Sequence, residues 1–113
     1  MFGPNDFRII PGTTKIDYDP NKEDSNRVEH KYSLTCAVDI LTDAVTFQHP
    51  FITIDRVMEE GEIRHVHLAE YESRIVLFVT TMREEETIRV ISMRDASPKE
   101  REIYKQNPPA YIL

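Results

Sequence analysis

The segment from Thr87 to Tyr104 constrains the fold more than any other part of the chain, because it joins an apolar strand directly to a strongly capped helix. Its opening stretch, TIRVISMR, is rich in β-branched side chains, which predicts a strand. Ser97, Pro98 and Glu100 then follow in the order of a capping box with a proline in the first helical turn. A helix over 98–105 is therefore predicted to follow the last strand of the domain.

The junction of this strand and helix is also a place where anions bind readily. Arg89, Ser92 and Arg94 lie on the strand, and Arg94 comes shortly before the helix N-terminus. Free backbone N–H groups and the positive end of the helix dipole attract negative charge at such a position. The local sequence therefore indicates a site for an anionic ligand.

In the rest of the chain, apolar and polar residues alternate less regularly, but the turn and capping signals are clear. The other predicted elements are a strand over 15–19, helices over 20–30 and 33–41, and strands over 51–57, 63–70 and 74–81. The strand over 74–81 is apolar on both faces, which places it in the centre of the sheet. Helices first, then strands with short connections, then a helix indicate an α+β domain with a mostly antiparallel sheet of about four strands.

Length and turn residues predict one domain with two short extensions. Glycines and prolines in residues 1–14 indicate an extended N-terminal arm, and Asn107-Pro108-Pro109 ends the last helix. We therefore expect an arm over 1–14, a single domain over 15–106 and a tail over 107–113.

Charge and cysteine content exclude some classes of protein. The net charge of −6 argues against a broad basic surface for nucleic acid. A small cationic cleft is still compatible with it, because charges are screened over about 8–10 Å at physiological salt. Cys36 is the single cysteine, so neither an intrachain disulfide nor a cysteine-based zinc site is expected. With no signal peptide or membrane span evident, we expect a cytoplasmic protein without a cofactor.

His65 and His67 are the one pair of side chains that suggests a metal. They share a face of the strand over 63–70 and could form half of a metal site. No third ligand is evident nearby, so we expect no metal and interpret both as exposed strand histidines.

The order of residues in three places resembles the BrnT family of ribonucleases from type II toxin–antitoxin systems. The three places are Tyr18–Lys22 with Asn26 and His30, Glu62 with Arg64, and Arg89–Tyr104. The resemblance covers about residues 15–104 and implies a RelE-like fold. It also implies metal-independent RNA cleavage, neutralised by a ribbon-helix-helix antitoxin that binds DNA. The chain itself is then expected to contact RNA, to reach DNA only indirectly through the antitoxin, and to contact no membrane.

Metal-independent RNA cleavage needs a base, an acid and fixed positive charge on the developing phosphorane. The resemblance implies the catalytic candidates Arg64, Arg89, Arg94 and His30, and the RNA-binding candidates Lys22, Asn26, Ser92 and Tyr104. The arginines suit the phosphorane, and His30 suits the base. Glu70, which the resemblance does not include, is an alternative base, and Lys22 or Tyr104 suits the acid.

Structural roles are the alternative for several of these residues. Arg89 and Arg94 can instead hold the sheet to its helices, and His30 can cap a helix C-terminus. In a regular strand Arg89 and Arg94 point to opposite faces. They share a site only if the strand bulges, or if Arg94 lies beyond its end.

Departures from the family pattern leave a second function open. Tyr18 stands in place of tryptophan and Lys31 in place of glycine, while Glu29 and Asp95 replace basic residues. Two such charge reversals weaken the binding of a polyanion. The alternative is a catalytically impaired homologue that acts as an antitoxin-binding module or co-repressor.

Overall fold

The chain forms an α+β domain with three helices and one sheet. The computed structural model describes residues 6–46 and 50–109. Its elements are β1 (Lys15–Tyr18), α1 (Pro20–His30), α2 (Leu34–Thr46), β2 (Phe51–Glu59), β3 (Glu62–Tyr71), β4 (Arg74–Arg83), β5 (Thr87–Asp95) and α3 (Pro98–Gln106). The second helix continues to Thr46, beyond the predicted end near Leu41. Within the described ranges, no helix is long and apolar enough to cross a membrane.

The sheet has five strands in the order β1-β5-β4-β3-β2 rather than the expected four or so. Three neighbouring pairs are antiparallel, and β1 pairs with β5 in parallel. The sheet is therefore mixed, since the first strand joins it beside the last one. The short strand over 15–19 was predicted, but its place in the sheet was not, because β5, with which it pairs, lies at the other end of the fold.

One face of the sheet, here called the α2 face, carries the larger core. Helix α2 presents an apolar stripe with the 3.6-residue period that buries one side of a helix. The fully buried side chains of this core include Leu34, Ala37, Leu41, Phe78, Val90 and Met93. Ile40 of α2 is buried as well, whereas Val38 is only half-buried.

The opposite face, here called the α3 face, packs against the last helix. Leu68, Leu77 and Ala96 form a smaller buried cluster with Ile103 of α3. The predicted capping box is confirmed: the Ser97 hydroxyl accepts from the Glu100 backbone N–H, at 3.2 Å, and the Glu100 carboxylate accepts from the Ser97 N–H, at 2.8 Å. Both bonds satisfy amides that the helix leaves free at its start.

Helix α1 lies along the edge of β5 where β1 ends. Its Asn26 side chain is 3% exposed and bonds to the β5 backbone as a neighbouring strand would. The amide group donates to the Met93 carbonyl at 3.0 Å, and its oxygen accepts from the Met93 N–H at 3.0 Å. A further donated bond reaches the Tyr32 carbonyl at 2.8 Å. One side chain thus fixes α1, the start of α2 and β5 together.

The histidine pair is buried, which corrects the expectation of exposed strand histidines. His65 is 5% and His67 0% exposed, because Phe7 from the N-terminal arm packs over both rings. The His67 ring nitrogens bond to the Thr53 and Thr80 hydroxyls at 2.9 and 2.8 Å. Among the described residues, no group of three or more His, Cys, Asp or Glu side chains is placed to hold a metal ion.

The described part of the arm, residues 6–14, is held by an ion pair as well as by packing. The Arg8 guanidinium forms two bonds with the Glu86 carboxylate from the turn before β5. This pair lowers the pKa of Glu86 and raises that of Arg8. Residues 1–5 of the predicted arm, and 110–113 of the predicted tail, lie outside the described residues.

Replacing Asn26 with alanine tests its role as a substitute strand. The change leaves the Met93 N–H and two backbone carbonyls without their partners, so we expect a loss of about 2–4 kcal/mol in the free energy of unfolding. Chemical denaturation measures this loss. The matched control is Arg27→Ala on the exposed side of α1, for which a change within about 0.5 kcal/mol is expected. Equal effects of the two changes would show that Asn26 does not hold β5.

Acid should destabilise the fold through His67. Burial, with a smaller contribution from His65, lowers its pKa from 6.5 to about 3, so the unfolded chain takes up a proton below pH 6.5 before the folded chain does. Stability is therefore full above pH 6.5 and falls as the pH is lowered towards 3. We expect about 2 kcal/mol less stability at pH 5 than at pH 6.5.

Urea titrations at several pH values provide the measurement. The pH range above 5 isolates the histidines, because carboxylates with a lowered pKa, such as Glu100, affect stability only at lower pH. The His67→Gln variant should show a flatter pH dependence over this range. The same slope in both proteins would contradict the assignment.

Candidate active site

A bulge in β5 brings the predicted strand residues to one face of the sheet. The pairs across β4 and β5 are Leu77–Arg94, Val79–Ser92 and Thr81–Arg89. Alternate residues of β4 share a face, so their three partners on β5 share it too. Ile91 is the extra residue of the bulge, which reverses the alternation between Arg89 and Ser92. The sequence left open whether the strand bulges or Arg94 lies beyond its end, and the structure has the bulge.

A cleft of about 370 Å³ lies between α1 and the α3 face of the sheet. Five of the eight predicted site residues line it, namely Lys22, Asn26, His30, Arg64 and Ser92. They come from α1, β3 and β5, which are distant in sequence. The cleft therefore depends on the completed fold, and no single segment of the chain supplies it.

Helix α1 places three of these residues through its period. Lys22, Asn26 and His30 are four residues apart and so lie along one side of the helix. Asn26 faces β5, and its amide makes three hydrogen bonds to backbone groups, which fix this side of the helix against the strand. Lys22 in the first turn and His30 in the last turn are thereby held at the rim of the cleft.

Arg64 is the guanidinium in this cleft, and carboxylates surround it. Its side chain is 11% exposed and lies opposite Thr81 on β4, in line with Arg89. Glu59, Glu60 and Glu62 approach its nitrogens to 3.3, 3.4 and 3.1 Å. Arg64 thus has a fixed position but a locally neutralised charge.

Arg89 lies on the same face of the sheet but outside the lining of the cleft. Its Nε and Nη2 atoms bond to the two oxygens of Asp17 at 3.1 and 3.2 Å. Asp17 is its direct neighbour in the β1–β5 register, and the pair raises the pKa of Arg89. These contacts fit the structural alternative, and phosphate binding by Arg89 stays a prediction.

Arg94 ties β5 to the start of α3. Its two terminal nitrogens donate to the Glu100 carboxylate at 2.7 and 2.9 Å, and one also bonds to the Asp95 carbonyl. Arg94, more than any other group, lowers the pKa of Glu100 to about 2. The bond joins the arginine to the capping box, which again is the geometry of the structural alternative.

Tyr104 and Glu70 lie in a separate groove beside α3. Tyr104 also packs against the small core of the α3 face. The structure therefore separates these two candidates from the cleft that holds Lys22 and His30.

The structure shows the surroundings of three residues that depart from the family pattern, Lys31, Asp95 and Glu29. Lys31 follows α1 with φ of 66°, a left-handed conformation for which glycine is favoured, so glycine in the family pattern is physically understandable. Asp95 accepts a bond from the Tyr32 hydroxyl and lies 3.8 Å from Arg74. Glu29 does line the cleft, with its carboxylate 3.9 Å from the His30 ring.

Glu59 is a charged lining residue that was not among the predicted site residues. It ends β2 in a run of glutamates, and its side chain is 60% exposed. Pairing with Arg64 follows from the turn between β2 and β3, which places Glu59 opposite Glu62. The sequence signal for this ion pair was the run of glutamates that comes just before Arg64 and includes the short turn between β2 and β3.

The cleft combines the groups that phosphoryl chemistry requires. Arg64 and Lys22 supply positive charge, Ser92 supplies a hydroxyl, and His30 supplies an imidazole ring whose nitrogens can accept or donate a hydrogen bond. Such a set can bind a phosphodiester and move protons to or from its oxygens.

Comparisons with known proteins point in the same direction. The sequence model of the family described as "Ribonuclease toxin, BrnT, of type II toxin-antitoxin system" matches residues 18–100. The crystal structure of the Brucella abortus ribonuclease toxin BrnT superposes with a TM-score of 0.52 and 22% identity, covering 75% of this chain and 99% of that chain. At this identity the likeness concerns the fold. The comparison with curated protein sequences gives no match.

Proposed function

The chain belongs to the BrnT family of ribonuclease toxins from type II toxin–antitoxin systems, and from this we propose that it cleaves RNA in the cleft between α1 and the α3 face. One observation supports this most: Lys22, His30, Arg64 and Ser92, which the family resemblance singles out, line a single cleft. These residues come from α1, β3 and β5, which are distant in sequence and which the fold brings together. The proposal goes beyond family membership, because it assigns the chemistry of cleavage to particular side chains of this chain.

In the proposed reaction, a ribose 2′-hydroxyl attacks the adjacent phosphate and the 5′-oxygen leaves. His30 takes the proton of the attacking hydroxyl, and Lys22 donates a proton to the leaving oxygen. Arg64 stabilises the charge that develops on the phosphorane oxygens, a role that suits a planar and permanently protonated group. Ser92 holds the phosphate by a hydrogen bond. Every step uses side chains of this chain, so the proposed cleavage is metal-independent.

The remaining parts of the proposal concern partners and setting. We propose that the fold is RelE-like, supported by the antiparallel strands β2–β5 with helices on both faces. The family implies an antitoxin, and the proposed one is a ribbon-helix-helix protein through which alone the toxin meets DNA. The proposed setting is the cytoplasm, where RNA is available and Cys36 stays reduced.

A second candidate function has its own observation. Each predicted arginine is bonded to carboxylates: Arg64 to three glutamates, Arg89 to Asp17 and Arg94 to Glu100. A phosphate has to compete with these partners for the same nitrogens. The alternative is therefore an impaired homologue that binds its antitoxin without cleaving RNA.

Removing the proton-transfer groups tests the first candidate. His30→Gln and Lys22→Ala should each reduce cleavage of a defined RNA by about 10²-fold or more, because each removes a general acid or base. Gel analysis with the purified chain, in the presence of EDTA, measures the rate. Lys99→Ala removes an exposed cation of α3 as the control and should cleave at the wild-type rate. Unchanged cleavage by His30→Gln would remove His30 from the mechanism.

Removing a competing carboxylate separates the two candidates. Glu59→Gln should raise kcat/KM for RNA roughly two- to fivefold, the effect of freeing Arg64 from one exposed ion pair. Glu102→Gln on α3 loses the same charge away from the cleft and serves as the control. Equal gains in both variants would indicate net charge alone. No cleavage by the wild type or by Glu59→Gln would favour the binding module.

A further inference from the structure

A second cleft adjoins the proposed active site at His30. It has a volume of about 410 Å³ and lies between the end of α1 and the turn from β3 to β4. His30 lines both clefts, so the two clefts meet at this residue. The volume falls within the range of small-molecule sites, about 300–1,000 Å³. The proposed reaction gives this second cleft no role.

Two tyrosine rings form its aromatic wall. Tyr32 and Tyr71 meet edge to face, with centroids 6.4 Å apart and planes at 74°. Both rings pack against the main core and line the cleft as well. Packing against the core fixes the position of the two rings, and a binding surface that is already in place reduces the entropy lost on binding.

Both tyrosines are held as neutral phenols. Burial, followed by the bond to Asp95, raises the pKa of Tyr32. A hydrogen bond with Cys36, together with burial, raises the pKa of Tyr71. The rings therefore present no negative charge to a polyanion.

Charged groups of both signs complete the cleft. Lys31 and Arg74 can bind phosphate oxygens, and Arg74 is 67% exposed. Glu72 and Asp95 are carboxylates that can accept hydrogen bonds from base amino groups. Aromatic faces, cations and a few acceptors together are the set that single-stranded nucleic acid needs.

From these contacts we infer that the second cleft is a nucleoside subsite, which binds the base next to the cleaved phosphodiester and favours bases with amino hydrogens. The base stacks on the wall formed by Tyr32 and Tyr71, and Glu72 accepts from its edge. This inference rests on the proposed function, because the neighbouring cleft has to hold the RNA backbone. It adds a determinant of cleavage specificity.

Paired changes in the protein and in the substrate test the subsite. The probes are short oligoribonucleotides in which one nucleoside flanking the cleaved bond is replaced by an abasic riboside. For the wild type, the abasic change on one side should lower kcat/KM about tenfold, the value of one base stacked on an aromatic ring. For Tyr71→Ala, the same change should have almost no effect. Tyr71→Phe, which keeps the ring, should respond like the wild type.

The outcomes distinguish this inference from the function on which it rests. If the wild type cleaves RNA but both proteins respond equally to the abasic change on either side, the subsite is refuted and the nuclease stands. If the wild type does not cleave, the proposed function fails. The subsite is then tested by binding of fluorescently labelled intact and abasic oligonucleotides. Loss of affinity on the abasic change in the wild type but not in Tyr71→Ala supports the subsite, and equal responses refute it. Lys99→Ala is the control in both measurements.

A variant on the exposed turn covers the case in which Tyr71→Ala does not fold. Glu72→Gln keeps the shape of the side chain but replaces a carboxylate by an amide. Its preference among the four bases at the flanking position should differ from that of the wild type. An identical preference would refute the role of Glu72 in choosing the base.

Discussion

The bond between the Asn26 amide and the Met93 backbone is the interaction on which the rest of the molecule depends. It lets a helix occupy the edge of β5 where β1 has ended, so the Met93 N–H and carbonyl have partners on the side that β1 leaves open. The residues four positions before and after Asn26 are carried to the rim of the cleft by the same contact. An amide is suited to this position because it offers both a donor and an acceptor, as a neighbouring strand does.

Local signals in the sequence were sufficient for the starts of α1 and α3, although they placed the end of α2 five residues too early. Asp19-Pro20 and Ser97-Pro98 start α1 and α3 because the side chains and backbone of a few adjacent residues decide the matter. Burial of His67 was not predictable in that way, since the residue that covers it, Phe7, is far away in the chain. The pairing of β1 with the sheet was missed for the same reason, because its partner β5 lies at the other end of the fold.

The candidate site was predictable in membership but not in geometry. Family-like spacing pointed to Lys22, His30 and Arg64, which the fold gathers in one cleft, and their roles in catalysis stay predictions. Sequence alternation placed Arg89 and Arg94 on opposite faces, because an extra residue such as Ile91 leaves no mark in composition. Carboxylate partners of the arginines were equally hidden, since Asp17 reaches Arg89 only through the parallel pairing of β1 with β5.

The parallel pairing of the first strand with the last also bears on synthesis of the protein. Residues 15–18 find their partners only when 87–90 have been made, so a nascent chain carries an unfinished sheet through most of its translation. The anchoring of α1 waits for Met93 in the same way. Because Lys22 and Ser92 line the same cleft, the cleft is complete only after the segment that carries β5 has been made.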